Sequence, residues 1–522
     1  MSCKTLAGRV KLWHAEWRAI MEQIISFFYT VGIIVLVILF FNLMIFVHEL
    51  GHFLAGKWRG AYIDRFQIWF GKPIWQKEIG GVKWGLGWIP AGGFVSLPQM
   101  EDTEETQDEF SPQEDAKRTR TLMEGIEGKA DRPEGKLEPL KPLDKVIIAA
   151  AGPFFSLLLA YVFAVIVWCV GKPSTAHIDT TIGYLLPNAP AAQAGLLPGD
   201  KILAIDGQKV TKWVGNMEGV TELVAMSEHE KITFDVLRTT ADGKQEKLSI
   251  QSGFEVPETS LWQRSALRKV GILPAVPAII GKIIEGSPAA KSGLQPGQRV
   301  VALNGAPIYA PYAILAASEE AKEMTLTVES ADGSRSDVTI CPALPTNWQG
   351  KEGATPILGL TWANTMGDIE LEHPSPQAQV NQSLKWMGDT LEKVCAPGSN
   401  IGVQHLSGPV GIGSYIYKML DTENGVGWRL ALWFAVVLNV NLAVLNMLPL
   451  PVVDGGHVVL GFIEMIRRKP INSRILNSIF MGFIMLLFGF FIFVTLMDIG
   501  DLLGGEKEPE ELPLPVFSNA EN

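Results

Sequence analysis

A long apolar run begins near Ile24 and ends in the pentapeptide His-Glu-Leu-Gly-His at residues 48–52. A helix needs about 20 apolar residues to cross a bilayer, so this run is long enough to be a membrane span. His48 and His52 are four residues apart, which on a helix directs both imidazoles to one face, where they can reach one metal ion. Glu49 lies one step around the helix and can take a proton from water at the metal. Ionisable side chains at membrane depth are costly, which favours a functional role.

A second unusual run, residues 439–457, interrupts a later apolar segment. Its two prolines and its glycine pair interrupt a helix within the membrane and leave backbone N–H and C=O groups without helical hydrogen bonds. Such unpaired backbone groups are tolerated in a membrane where they line a site. Asp454 follows this break. Catalytic zinc sites commonly have three protein ligands, and Asp454 can supply the one that His48 and His52 leave unfilled. The alternative is that Asp454 only caps the helix after the break.

Composition narrows the class of protein. The chain has 522 residues, of which 47% are hydrophobic, and a net charge of −11. The negative charge argues against a nucleic-acid partner. The four cysteines show no Cys-x-x-Cys spacing, so no thiolate metal site is predicted. Whether Cys341 and Cys395 pair is left open.

An internal repeat lies between the second and third apolar segments. Residues 190–207 recur as residues 288–305, each copy with a short helix, a glycine cap, a Pro-Gly turn, a strand and an Asp-Gly or Asn-Gly turn. The repeat resembles two bacterial, circularly permuted PDZ domains, at 175–255 and 270–345. Such domains bind peptides by strand addition, and the alternative is that they serve only as spacers or steric covers.

Short alternating stretches follow the first span. Their apolar and glycine-rich character predicts a membrane-associated β-hairpin region at 57–99, with an ordinary cytoplasmic hairpin as the alternative. Residues 100–144 are charged and poor in aromatic residues, so they are interpreted as a hydrophilic insertion. Helical spacing of apolar residues predicts amphipathic helices within 371–427, on the membrane or packed on a domain.

The predicted fold class is a multi-domain membrane protein with an α-helical core of about four spans, a membrane-associated β-hairpin region and two α+β PDZ domains. The remaining predicted segments are an N-terminal extension at 1–23, for which Met21 is an alternative start, spans at 24–56, 145–170, 428–465 and 475–498, and an acidic tail at 499–522. Lysine and arginine bias places the loops after spans one and three in the cytoplasm and the repeat outside.

The two membrane motifs, with the repeat between spans two and three, resemble the site-2 protease family and its regulator-of-sigma-E protease branch. The likeness covers nearly the whole chain except residues 1–20 and 100–140. It implies an intramembrane zinc metalloendopeptidase of the bacterial inner membrane, with its active site towards the cytoplasm and its PDZ domains in the periplasm. By position it implies His48, His52 and Asp454 as zinc ligands, Glu49 as general base, and Asn446, Asn441, Gly92, Gly93 and Phe94 as substrate-binding residues.

The resemblance also implies a substrate class. At one position the chain differs from the family pattern. The expected substrate is a single-span protein in the bilayer, either an anti-sigma factor trimmed on its outer side or a remnant signal peptide. Ser156 stands where the family often has asparagine, which affects a local packing contact. Two alternatives remain: a catalytically inactive PDZ membrane adaptor, and a metal transporter, although the chain lacks the repeat symmetry of transporters.

Overall fold

The structure is a computed structural model that describes residues 3–101, 139–174, 179–215, 218–240, 242–259, 263–363, 370–396, 401–422, 425–468, 473–503 and 512–517. Its helices are α1 (Cys3–Arg59), α2 (Pro98–Glu101), α3 (Pro142–Val170), α4 (Pro190–Gln193), α5 (Val220–Met226), α6 (Pro288–Lys291), α7 (Tyr312–Ser318), α8 (Pro376–Cys395), α9 (Pro409–Leu420), α10 (Gly427–Asn446), α11 (Asp454–Arg467) and α12 (Ser473–Leu503). Its strands are β1 (Arg65–Ile79), β2 (Val82–Ser96), β3 (Lys172–Ser174), β4 (Ile182–Leu185), β5 (Lys201–Ile205), β6 (Gln208–Lys209), β7 (Ile232–Thr239), β8 (Gln245–Ser252), β9 (Ile272–Pro274), β10 (Ala278–Ile283), β11 (Arg299–Leu303), β12 (Ala306–Pro307), β13 (Met324–Glu329), β14 (Arg335–Ile340), β15 (Leu360–Ala363) and β16 (Glu370–Glu372).

The chain forms two compact units. The first consists of Met1–Lys172, His373–Met387 and Gly408–Thr495, and the second of Pro173–Glu372, Gly388–Ser407 and Leu496–Asn522.

Four helices in the described part of the chain are long and apolar enough to cross a membrane. They span Gln23–Arg59, Pro142–Val170, Gly427–Asn446 and Ser478–Leu503. The prediction of an α-helical core with about four spans beside sheet-rich regions is confirmed at this level. The predicted third span is divided, because α10 ends at Asn446 and α11 begins at Asp454, with the prolines between them. Most of the predicted hydrophilic insertion lies outside the described residues.

Helix α3 is the centre of the first unit, since it packs against α1, α10 and α11. Small residues permit this close packing: Ala160 and Ala164 are fully buried in one cluster with Val436 and Val440 of α10. Polar contacts near the first residues of α3 stabilise this packing further. The Arg59 side chain of α1 donates to Asp144 of α3, and Lys145 of α3 lies 3.2 Å from Glu464 of α11. Helix α3 therefore fixes the relative positions of the two helices that carry the predicted metal ligands.

Strands β1 and β2 form an antiparallel sheet that folds back on itself. Residues 65–68 of β1 pair with both 83–86 and 93–96 of β2, so the first part of β1 lies between two parts of β2. Among the described residues, β1 is the only strand that pairs with residues 93–96. The other edge of this short segment therefore has no strand partner among the described residues.

The second unit contains two sheet domains at the positions of the sequence repeat. In the first, the sheet has the order β6-β5-β7-β8, and β4 pairs with β9. In the second, β14-β13-β11-β10-β15 form one sheet, with β12 paired to β11. Each surrounds its own apolar core, centred on Phe234 and on Leu326. That these are PDZ domains stays a prediction. Cys341 and Cys395 are both free thiols.

Candidate metal centre

Helix α1 carries three of the four residues predicted for the metal centre, the ligands His48 and His52 and the base Glu49. His48 and His52 are both buried, and their Nε2 atoms lie 3.3 Å apart. The position of the two histidine rings depends on close contact between α1 and α3. There is no room between these helices for a side chain at Gly51, because a methyl group there would clash with the carbonyl oxygen of Ala151. A methyl group at Gly152 of α3 would overlap the His52 ring in the same way. Both glycines therefore let the paired imidazoles sit against α3.

Asp454 is the first residue of α11, directly after the helix break. One of its carboxylate oxygens lies 3.2 Å from Nε2 of His48 and the other lies 3.3 Å from Nε2 of His52. The Oδ2 atom is buried and accepts no hydrogen bond from the described residues. The structure thus brings Asp454 to two histidines that lie more than 400 positions before it in the chain.

The three donor groups fit a zinc ion. Ligand atoms about 2.0 Å from a tetrahedral ion lie about 3.3 Å from one another, which is close to the 3.2 and 3.3 Å separations here. Two imidazoles and one carboxylate are a donor set typical of catalytic zinc, which keeps its fourth position open. In the described part of the chain this is the only such group of three or more ligating side chains.

The other ring nitrogens of the two histidines are held by α3. Nδ1 of His52 donates to the carbonyl oxygen of Ile148 at 2.8 Å, and Nδ1 of His48 lies 2.9 Å from the Ser156 hydroxyl. With Nδ1 protonated, Nε2 of each ring presents its lone pair to the centre. Sequence reasoning connected Ser156 only with packing. The contact between Ser156 and His48 joins residues 108 positions apart, and no sequence motif connects these two residues.

A cavity of about 480 Å³ adjoins the candidate ligands and Glu49. One wall is β2, whose Gly93 lies so close to α1 that a methyl group there would come 2.9 Å from Cγ2 of Ile45, with Cγ of Glu49 next to it at 3.5 Å. The backbone N–H of Val95 donates to the Glu49 carboxylate. The other lining residues include Ile45, Phe70, Gly92, Phe94, Leu442, Asn446, Val453 and His457.

The predicted substrate-binding residues fall into two groups. Gly92, Gly93, Phe94 and Asn446 line the cavity, whereas Asn441 is not among its lining residues. Gly92 has φ of +70°, and a side chain there would also overlap the Phe70 ring. His457 lines the cavity as well, with its ring centroid 5.6 Å from that of Phe480.

This arrangement can perform metal-assisted hydrolysis. It combines a three-ligand site for a divalent ion, a carboxylate beside that site and a cavity next to a strand with an edge that has no described strand partner.

Comparisons with known proteins agree with the chemistry of the site. A sequence profile described as peptidase family M50 matches residues 36–490. A protein of Neisseria meningitidis serogroup A, provisionally named a zinc metalloprotease, is 29% identical over 456 residues, which cover 83% of this chain and 91% of that protein. A regulator of sigma E protease from Haemophilus influenzae is 26% identical over 468 residues, or 86% of this chain and 94% of that protein.

Proposed function

The chain belongs to peptidase family M50, and we propose that it is a zinc-dependent endopeptidase that cuts single-span proteins within the membrane. The match confirms the family predicted from the motifs. The observation that carries the proposal is the triangle of His48, His52 and Asp454 donor atoms, which lies beside Glu49 at the end of an apolar helix.

Zinc is the ion that these residues suit. Two neutral imidazoles and a carboxylate match its preferred ligands; the Ile148 carbonyl group fixes the tautomer of His52 that binding requires, and the Ser156 hydroxyl can accept the corresponding proton of His48. A relative from Neisseria meningitidis carries zinc in its name. A zinc ion bound here would activate water near neutral pH and polarise the scissile carbonyl group.

Glu49 is the proposed general base. Its carboxylate has the Val95 N–H as a hydrogen-bond partner, and Gly93 leaves room beside it. From this position it takes a proton from the attacking water and later passes that proton to the leaving amine.

The strand segment 93–96 is the proposed holder of the substrate. A helical substrate hides its carbonyl groups in internal hydrogen bonds, so it must become extended before attack. The edge of β2 that has no described strand partner offers its backbone groups, apart from the Val95 N–H next to Glu49, to an extended segment, as in other peptide complexes formed by strand addition. Asn446, at the end of α10, has an amide that can bind the substrate backbone on the other side of the cavity.

The β1–β2 sheet is proposed to dip into the bilayer. It exposes large apolar side chains that water would not favour, namely Ile74, Trp75, Ile79, Trp88 and Ile89. Basic residues at the ends of α1 and α11, including Lys57 and Arg467, support a cytoplasmic location for that end of the site. The sheet domains of the second unit then lie on the outer side, in the periplasm of the bacterial inner membrane.

The substrate class follows from this setting. Because the site lies in membrane-spanning helices, a suitable substrate is itself a transmembrane segment, such as that of an anti-sigma factor or a remnant signal peptide. The name of the Haemophilus influenzae relative, which refers to sigma E, supports an anti-sigma factor. The two sheet domains are proposed to be PDZ domains that exclude substrates with bulky outer domains.

A cleavage assay tests the proposed function. The purified chain in liposomes should cut a single-span fusion protein that lacks an outer domain, within its span. A zinc chelator should stop the cleavage, and added zinc should restore it. Cleavage that continues in the chelator would contradict the proposal, and a chain that binds zinc but cuts no span would point to the inactive adaptor.

A further inference from the structure

A short extended segment, Leu512–Phe517, lies against the second sheet domain within the second unit. Its sequence is Leu-Pro-Leu-Pro-Val-Phe, and it contacts the 3₁₀ turn Thr346–Trp348. The Thr346 backbone N–H donates to the carbonyl oxygen of Val516 at 2.8 Å, and so does the Thr346 hydroxyl. These partners are 170 positions apart, so local chain geometry does not account for the contact.

Asn347 contacts the segment backbone at two points. Its Nδ2 atom donates to the carbonyl oxygen of Leu514 at 2.8 Å, and its Oδ1 atom accepts from the N–H of Val516 at 2.9 Å. A carbonyl and an N–H two residues apart project from the same side of an extended chain, and the amide meets both. Because helical backbone hides these groups, this contact requires an extended ligand.

Aromatic contacts supply the second part of the recognition. The Trp348 indole N–H donates to the carbonyl oxygen of Pro513 at 2.7 Å. The Phe517 ring lies over Gly359, where a methyl group would come 2.8 Å from its Cε2 atom. Proline-rich segments keep their backbone carbonyls free for such donors and lose little conformational entropy on binding, which makes them common ligands of aromatic surfaces.

We propose that Thr346–Trp348 and Gly359 form a binding site for an extended, proline-containing peptide that carries an aromatic residue at the position of Phe517, and that Leu512–Phe517 fills this site in cis. Thr346, Asn347 and Trp348 bind backbone groups of the ligand, which its prolines hold extended, and Gly359 accepts the aromatic ring of Phe517. The site lies outside the metal centre and does not depend on hydrolysis.

A second contact ties the same part of the chain to the second unit. Arg264 donates to Asp498 and Asp501 near the end of α12 and to the carbonyl oxygens of Gln404 and Leu406. Burial opposes the charge of Arg264, but the two carboxylates hold its pKa above the usual value. The chain is thus anchored twice, at the end of α12 by Arg264 and at Leu512–Phe517 by the peptide site. The Arg264 contact keeps the cis segment close to the peptide site.

Competition with a free peptide tests the proposal. A labelled peptide of residues 512–517 is titrated against the full-length chain and against a variant in which Pro513–Phe517 are replaced by glycine and serine. The intact chain should bind weakly, because a tethered segment reaches an effective concentration of about 1 mM. The variant should bind at least about tenfold more tightly, whereas a scrambled peptide of the same composition should bind neither chain.

Side-chain variants locate the site. In the glycine-serine background, Asn347→Ala should weaken peptide binding at least about tenfold, since two backbone hydrogen bonds are lost. Gln349→Ala removes an exposed amide two residues away and should leave binding unchanged. Thermal unfolding checks that each variant is folded. Equal binding by the intact chain and the glycine-serine variant, no binding by that variant, or full binding by a folded Asn347→Ala variant would each overturn the proposal. None of these outcomes depends on cleavage activity.

Discussion

Each candidate metal-binding histidine uses its two ring nitrogens for different partners. Nε2 faces the other ligands, while Nδ1 of His52 and His48 is hydrogen-bonded to Ile148 and Ser156 of α3. The pattern His-Glu-x-x-His specifies the first of these roles, because helical spacing alone puts both rings on one face. The pattern does not specify the hydrogen bonds of Nδ1, because these depend on the position of α3.

The Glu49→Gln variant separates zinc binding from proton transfer. Glutamine has nearly the same size but cannot accept a proton at neutral pH, so cleavage should fall by about 10²–10⁴-fold. Zinc content, measured by mass spectrometry on the purified protein, should stay at the level of the unaltered chain. Glu352→Gln, at an exposed position of the second unit, is the matched control. Retained cleavage in Glu49→Gln would remove this residue from the role of base.

Ser156 is the proposed positioning residue for His48. Removing its hydroxyl in Ser156→Ala leaves the Nδ1–H without an acceptor, and zinc affinity should fall by about 10–100-fold. Asparagine offers an oxygen acceptor, so Ser156→Asn should retain more affinity than the alanine variant. Competition with a zinc-binding dye measures each dissociation constant.

A matched serine is available as a control for this series. Ser383 of α8 is also buried, but its hydroxyl donates to the Gln379 carbonyl oxygen within the same helix. Ser383→Ala should therefore leave zinc affinity unchanged. If Ser156→Ala bound zinc as tightly as the unaltered chain, the hydrogen bond to His48 would have no part in shaping the site.

At the level of elements, the metal centre depends on α3 lying between two helices distant in the sequence. The broken helix that ends at Asn446 and resumes at Asp454 could be predicted from its prolines, as could the four apolar helices. The folded-back pairing of β1 could not, because alternation of apolar residues is the same whether residues 65–68 have one strand partner or two.

Glycine substitutions on α1 test the packing of this element. Gly51→Ala would drive a methyl group into the backbone of α3, so it should lower the free energy of unfolding by about 1–3 kcal/mol. It should also weaken zinc binding, because the paired imidazoles would move away from α3. Thermal unfolding in detergent and the dye competition measure the two effects.

The same helix provides its own control at Gly32. This residue is exposed and has nothing within 4 Å of an added methyl group. Gly32→Ala should leave stability unchanged or raise it slightly, since alanine favours helix. Equal losses in both variants would mean that backbone flexibility of α1, rather than its contact with α3, is what Gly51 provides.

The whole molecule combines a hydrolytic centre in one unit with two sheet domains and a peptide-binding turn in the other. The sequence repeat predicted two similar domains, and two separate apolar cores lie at those positions. It did not predict that Leu512–Phe517 contacts the second domain, because nothing in Leu-Pro-Leu-Pro-Val-Phe identifies a partner about 170 residues away.

Deletion of the sheet domains tests their proposed role as a filter. When residues 173–372 are replaced by a short flexible linker, the chain should cut single-span substrates that still carry a folded outer domain. The unaltered chain should cut only trimmed substrates, and both should require zinc. An unchanged size limit in the deletion variant, with activity on trimmed substrates preserved, would argue against the filter.

His48, His52 and Asp454 are proposed to hold one zinc ion together. A zinc K-edge X-ray absorption spectrum of the purified chain tests this most directly. The spectrum should show a shell of nitrogen and oxygen ligands at about 2.0–2.1 Å with imidazole scattering and no sulfur, and Asp454→Ala should change that shell. Sulfur ligands, or a spectrum that is the same with and without Asp454, would contradict the claim.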